Sequence, residues 1–464
     1  MLLAKYLFRK RNIKILLILL VTTITFVVIF NGYSRPASKQ IFADDQRLNK
    51  KFLLCKQCNL LLLNVELLRA DYVGLLNPDT PSNTPNIDLF FKNSIQFSKA
   101  SAPAGETYRS NLAILTAKEA FNFPVTEKKI HKFIQHNKKN HTTAEFMVVR
   151  EMLLKYPTLA EHLKASNYHT ISMNQGIRAG KHLLLDRGFD TAINWDRREV
   201  SYRQTIDSLL NSLKRNKSTP YMLLYRPEVL HPMPYFYPEN LNRIEDKKRI
   251  IYRYRPRYSR YNIRANHSIP DSEIRQALHE IYAQQVRLVD NELGLIFKYL
   301  ESSSQLSNTI VVLYANHGSG LGDNGVKKLA VSYQSSIHVP LLIRHPAVKH
   351  AIQINTPITL LDLMPTLMEL TGNNVPDNID GRSLLRDYSQ PQEAQRPIIG
   401  RNDFDEYIRL GAYKLIRKQG NRLELYNLDN DPGELNNIAM QEPDRKRKMS
   451  GILDSVKLNI LKNQ

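Results

Sequence analysis

Whatever this chain folds into must accommodate the run Leu60-Leu61-Leu62-Leu63-Asn64-Val65. A short apolar segment of this kind reads as a buried strand. Glu66 follows at once, at the strand's C-terminal end, and a carboxylate there is costly to bury without a partner. Next come Arg69-Ala70-Asp71, the segment Thr84-Pro85-Asn86-Ile87-Asp88, and Gly105-Glu106-Thr107-Tyr108-Arg109-Ser110. The last of these leads into an apolar helical run ending Leu115-Thr116-Ala117. A strand-end carboxylate and a helix-start hydroxyl can meet at the edge of a parallel sheet, where α/β proteins place their ligands.

The rest of the chain repeats the strand and helix alternation that a parallel sheet requires. Leu159-Ala160-Glu161-His162-Leu163 begins a helix behind a Thr158 cap, and Tyr168–Met173 is the next strand. Tyr221–Tyr225 is another, followed by the loop His231-Pro232-Met233-Pro234-Tyr235. Ser272–Leu300 is a long amphipathic helix. Its residues Tyr282, Val286, Val289, Leu293 and Ile296 recur three or four apart, which makes one core-facing stripe. Asn308–Ala315 is a strong buried strand that delivers Asn316-His317-Gly318 to the same sheet edge as Glu66. A Gly-rich loop, Gly320–Gly325, then Lys327 and Lys328, lead to the strand Val339–Ile343. With 464 residues the chain can hold one large α/β domain and a smaller C-terminal lobe.

The N-terminal end carries a different signal. Residues 1–14 hold Lys5, Arg9, Lys10, Arg11 and Lys14, and Ile15–Phe30 carries no charge. A cleaved signal peptide and an uncleaved signal anchor both fit such a run. Its length and the lack of a clear small-residue cleavage site favour the anchor. The basic tail should stay in the cytoplasm, with the main domain outside. Residues 1–14 are then a cytoplasmic tail, 15–31 a single transmembrane helix in the cell membrane, and 32–55 a tether. The formal net charge of +21 suits anionic partners such as lipid headgroups or acidic glycans, and equally suits simple solubility. An extracytoplasmic domain argues against nucleic acid. The stretch Arg249–Arg264 interleaves arginines with tyrosines, which can clamp anions and stack on sugars or form a solvated insertion. Cys55 and Cys58 are the two cysteines, spaced as a small disulfide would need but short of a zinc site.

The ordered set of motifs resembles the sulfatase family of the alkaline-phosphatase superfamily. The strand ending Val65-Glu66, Arg69-Ala70-Asp71, Thr84–Asp88 and Leu115-Thr116-Ala117 are similar to the family's N-terminal blocks. Arg187-Gly188-Phe189-Asp190, His231–Tyr235, Asn316-His317-Gly318 and Val339-Pro340-Leu341 follow in the family's order. Asp380–Leu384 and Glu424–Leu435 match its C-terminal part. The resemblance implies an α/β, alkaline-phosphatase-like sandwich, with a central mostly parallel sheet flanked by helices and a small C-terminal α+β subdomain. The expected limits are 56–375 for the catalytic-type domain and 376–464 for the subdomain.

The resemblance also assigns roles. Formylglycine sulfatases make their nucleophile from the first residue of C/S-x-P-S-R, and that window here reads Thr107-Tyr108-Arg109-Ser110-Asn111. Thr in that slot looks like the phosphotransferase branch, which includes lipoteichoic acid synthases and phosphoethanolamine transferases. By motif position, Glu66, Thr107, Asn316 and His317 would hold one divalent metal ion: Mn, Zn, Mg or Ca. Thr107 would attack sulfur or phosphorus, and Arg109, His231 and Lys328 would contact the anion. Asn316 stands where the family has Asp, and Leu67 where many members have a second acid, so Asp71, Glu106 or Asp323 would have to supply further charge. The expected function is hydrolysis or transfer of a sulfate or phosphate ester of an envelope lipid or glycan. The alternative is a catalytically inactive relative that binds an anionic glycan or lipid.

Overall fold

The structure is a computed structural model. It describes residues 48–138, 144–176, 183–196, 199–215, 220–230, 272–325, 331–386 and 390–462, together with Gly180 and Tyr388. The expected membrane span, the Arg/Tyr stretch, His231 and Lys328 lie outside these residues. Among the described residues no helix is long and apolar enough to cross a membrane.

The leucine-rich run forms β1 (Asn59–Asn64), with every residue after Asn59 buried. It lies inside an eight-stranded sheet of order β5-β4-β6-β1-β7-β8-β2-β9. The ranges are β2 (Ile95–Phe97), β4 (His169–Gln175), β5 (Thr191–Trp195) and β6 (Tyr221–Arg226). They continue with β7 (Thr309–Tyr314), β8 (Leu341–Arg344) and β9 (Ile352–Ile354). Strands β5, β4, β6, β1 and β7 pair in parallel, so their C-terminal ends share one edge. Strand β8 alone runs against its neighbours, which makes the sheet mixed. Every residue of β6 and β7 is buried, as a sheet covered on both faces demands.

Two helix groups supply the cover. The first comprises α1 (Pro85–Phe91), α4 (Tyr202–Arg215) and the long α5 (Ser272–Ser302), which packs on both. Residues Tyr282, Val286, Val289, Leu293 and Ile296 of α5 are all buried, so the predicted stripe faces the core. The second comprises α2 (Thr107–Thr116), α3 (Leu159–Ala165) and α6 (Leu363–Leu370). Thr158 caps α3 through a full capping box with Glu161. A two-stranded ladder joins β3 (Ala100–Ser101) to β10 (Ile358–Thr359).

The C-terminal part is an antiparallel meander. It runs β11 (Ile398–Arg401), β12 (Asp405–Leu410), β13 (Tyr413–Lys418) and β14 (Arg422–Asn427). Helix α7 (Pro443–Lys462) packs on it through Met449 and Leu453, over a small core with Ile408 and Leu415. Cys55 and Cys58 are joined just before β1 in the small disulfide that their spacing allowed.

Candidate active site

The parallel strands fix what reaches the common edge. Strand β1 ends at Asn64, and Glu66 follows as a residue only 1% exposed. Strand β7 ends at Tyr314 and presents Asn316 and His317, both fully buried. Helix α2 begins at Thr107. These are the junctions that the apolar runs marked.

Thr107 sits between the other two groups. Its Oγ1 donates to Glu66 Oε1 at 2.7 Å and lies 3.1 Å from His317 Nε2. The His317 Nδ1 is 2.9 Å from the Gly318 carbonyl, which can only accept, so Nδ1 carries a proton. In the neutral imidazole Nε2 is then an acceptor aimed at the Thr107 hydroxyl. One hydroxyl proton therefore faces two acceptors, an imidazole and a carboxylate. Gly318 leaves no room for a side chain, because a Cβ would strike the Ser335 carbonyl.

Arg226, the last residue of β6, was not among the sequence-predicted site residues. Its Nη1 pairs with Glu66 Oε2, and its Nη2 donates to the Gln175 carbonyl at 2.7 Å. Both oxygens of Glu66 are thus engaged, one by a hydroxyl and one by a guanidinium. Burial pulls Arg226 down to about 10, which leaves it cationic at neutral pH, and the charges of Glu228 and then Tyr314 act in the opposite direction. A charge closing an apolar strand had marked Glu66, and the same signal was present in Tyr221–Arg226. What the sequence could not show is that β6 and β1 are neighbours, with Leu63 level with Tyr225.

A chain of amides backs the site. Asn64 Oδ1 accepts from Asn316 N at 3.1 Å, and Asn64 Nδ2 donates to Asn111 Oδ1 on α2 at 3.0 Å. Ser110 Oγ donates to the Asn316 carbonyl at 2.5 Å. Behind Glu66 the chain turns through Leu67, whose φ is 71°. Tyr282 of α5 locks that turn, donating to the Leu67 carbonyl at 2.6 Å and accepting from Arg69 N at 3.0 Å.

Arg109 departs from its expected role. It pairs with Glu106 and with Asp403 at 2.8 Å, and it donates to the carbonyls of Phe123 at 3.2 Å and Val125 at 2.8 Å. Residues two apart on a helix do not face the same way, so sequence proximity to Thr107 misplaced it. It ties α2 to the C-terminal meander instead.

The expected metal ligands are gathered but do not fit a divalent ion. Asn316 Oδ1 accepts from His317 N at 3.1 Å, so its oxygen is turned to the backbone. Leu67 brings no donor. Asp71 pairs with Arg69 at 2.6 Å and Asp323 does the same at 2.6 Å, while Glu106 holds Arg109. None of the three supplies the missing charge. Among the described residues no group of three His, Cys, Asp or Glu side chains is placed to share an ion. A hard cation wants several oxygens and net negative charge. Here one carboxylate already carries a guanidinium.

The architecture is that of sulfatase and alkaline-phosphatase-like folds. It matches a phosphonate monoester hydrolase of Agrobacterium radiobacter with a TM-score of 0.66 at 16% identity, covering 87% of this chain and 96% of that one. It also matches a 2-O GAG sulfatase with a TM-score of 0.66 at 18% identity, covering 87% and 92%. The chain belongs to the sulfatase family: the family model described as Sulfatase matches residues 58–373. A second model, the C-terminal region of N-sulphoglucosamine sulphohydrolase, matches residues 322–457. Arylsulfatase K of Xenopus laevis is 29% identical over 221 residues, covering 43% of this chain and 40% of that protein. An ulvan-active sulfatase of Formosa agariphila is 30% identical over 158 residues, covering 32% and 31%. The matches thus span less than half the length of these relatives. Members of the family use a divalent metal ion, and the donor set just described parts from them at that point.

Proposed function

We propose that this chain acts on a sulfate or phosphate ester of an anionic glycan or lipid, with Thr107 as its nucleophile. The observation that carries this reading is the Thr107 hydroxyl held 2.7 Å from Glu66 and 3.1 Å from His317. His317 Nε2 takes the hydroxyl proton as Thr107 Oγ1 attacks sulfur or phosphorus. A Thr107 ester bond forms and the bond to the substrate oxygen breaks. The leaving oxygen takes the proton that His317 received, which returns His317 to its neutral form for the second step. Water, or an acceptor hydroxyl as in the Thr-using transferase branch, then cleaves the Thr107 ester and restores the hydroxyl. Glu66 orients Thr107, and Arg226 offsets the carboxylate so that an incoming anion does not meet naked negative charge. Residues 15–31 would hold this domain to the outer face of the cell membrane, close to envelope substrates.

Turnover of an aryl sulfate, an aryl phosphate and a sulfated glycan by native protein and by Thr107→Ala tests this. A nucleophile predicts a loss of at least about a hundred-fold in kcat. Equal turnover in the two proteins removes Thr107 from the mechanism.

A second reading is favoured by Asn316 and by the Arg226–Glu66 pair, which leave less charge for catalysis. Under it the cleft binds a sulfated glycan without cleaving it. Native protein that binds such a glycan, yet turns over none of the three esters, would establish it.

A further inference from the structure

We infer that Arg226 stands in for the family's divalent ion, so that fixed N–H donors alone hold the charge of the bound ester. This rests on the reading of the cleft as an anionic-ester site.

A buried carboxylate needs a counter-charge, and Glu66 has one within its own fold. The Arg226 guanidinium meets Glu66 Oε2 and is pinned from the other side by the Gln175 carbonyl at 2.7 Å. It sits at the end of a strand inserted between β4 and β1, and the residue is 1% exposed. It has nowhere to swing. A second cation placed on Glu66 would meet the guanidinium at close range, where repulsion in a dry site is strong. Of the groups that could offset this, Asn316 replaces an acid, Asp71, Asp323 and Glu106 are paired with arginines, and the charge of Glu228 acts on Arg226 itself, so that among the described residues no three His, Cys, Asp or Glu side chains are placed to share an ion.

The same region carries unpaired donors. Arg226 Nε, Asn316 Nδ2 and Asn111 Nδ2 are buried without hydrogen-bond partners among the described residues. Buried polar groups are normally satisfied. The amide chain Asn111–Asn64–Asn316 links two of them to the floor of the site, and Arg226 provides the third. Unmet N–H donors are the complement of sulfate or phosphate oxygens, and donors of this kind stabilise charge that develops on such groups.

The test uses the full-length chain. Its metal content is measured after purification, and its Tm is followed with EDTA, with Ca2+, Mg2+, Mn2+ or Zn2+, and with inorganic sulfate in the presence of EDTA. The expected results are sub-stoichiometric metal, no Tm change with EDTA or any of the four ions, and a sulfate-dependent rise in Tm. Arg226→Met should lose the sulfate response and, with Glu66 uncovered, acquire a response to divalent ions. Arg226→Lys keeps the charge and serves if the Met variant does not fold; it should stay indifferent to divalent ions. Native protein holding one equivalent of metal, released by Glu66→Gln, overturns the inference. If that protein also hydrolyses an ester, the proposed function survives without it. Metal-free protein that responds to sulfate but turns over no ester leaves the inference standing and removes the hydrolase reading.

Discussion

Arg109 shows how one side chain's role follows from its direction rather than its address. It lies two residues beyond Thr107, yet its guanidinium reaches Glu106 and Asp403, with its own side chain 1% exposed. Removing one partner of a buried pair leaves the other charges uncompensated, at a cost of about 3–5 kcal/mol. Arg109→Met should therefore lower Tm markedly, while the protein that remains folded keeps its KM for substrate. Thermal unfolding and steady-state kinetics on the same preparation check this. A large rise in KM at unchanged Tm would return Arg109 to the anion site. Glu66, Thr107 and His317 were legible because each sits at a junction between an apolar run and a polar turn. Arg226 carried the same mark, but its meaning depends on strand order, and strand order is not local.

At the scale of elements, the block Thr84-Pro85-Asn86-Ile87-Asp88 was legible as a motif but not as a mechanism. The structure supplies the reason. Pro85 opens α1, where its missing N–H costs nothing. Thr84 Oγ1 does not cap the helix; it bonds Asp88 Oδ1 at 3.0 Å and Gly74 N at 3.0 Å. The exposed helix N–H groups go to Asp290, a fully buried residue of α5. Asn86 N donates at 3.0 Å and Ile87 N at 2.8 Å, with Asn86 Nδ2 adding a third bond at 2.8 Å. Burial raises the Asp290 carboxyl, and these donors act against that rise. One acid therefore caps α1 from another helix and fixes how the two pack. Asp290→Ala strands those donors and should destabilise the fold by about 1–3 kcal/mol, read from denaturant midpoints. An unchanged midpoint would mean that water replaces the carboxylate freely. No sequence pattern announces a cap supplied from two hundred positions away; the α5 stripe was visible only because helical periodicity is local.

Across the whole molecule, the sheet and the C-terminal part are held by buried charge as well as by apolar contact. Asp380, in the segment leading to the meander, accepts from Glu119 N at 2.8 Å and pairs with Lys118 at 2.9 Å. Asp380 and Gly381 in turn donate their N–H groups to the Ala117 carbonyl at 2.8 and 3.1 Å. Both ends were visible as motifs, since Ala117 closes the nucleophile block and Asp380-Gly381 begins a later one, but their contact was not. Glu119 is enclosed by this arrangement. It keeps some surface, yet its Oε2 is shut off from solvent without a hydrogen-bond partner among the described residues. Burial, and then the charge of Asp380, push its carboxyl from 4.5 up to about 8. The native state therefore holds a proton that the unfolded chain releases near pH 4.5. Stability from this group must fall as pH rises between those two values, by at most about 1.4 kcal/mol per pH unit. Glu119→Gln mimics the protonated form at every pH. Its Tm should match the native protein in mild acid and exceed it at about pH 8, so the gap between the two curves should widen steadily with pH. Parallel curves would show that the Glu119 carboxyl is already ionised in the folded state, with Lys118 and Arg396 bearing its charge.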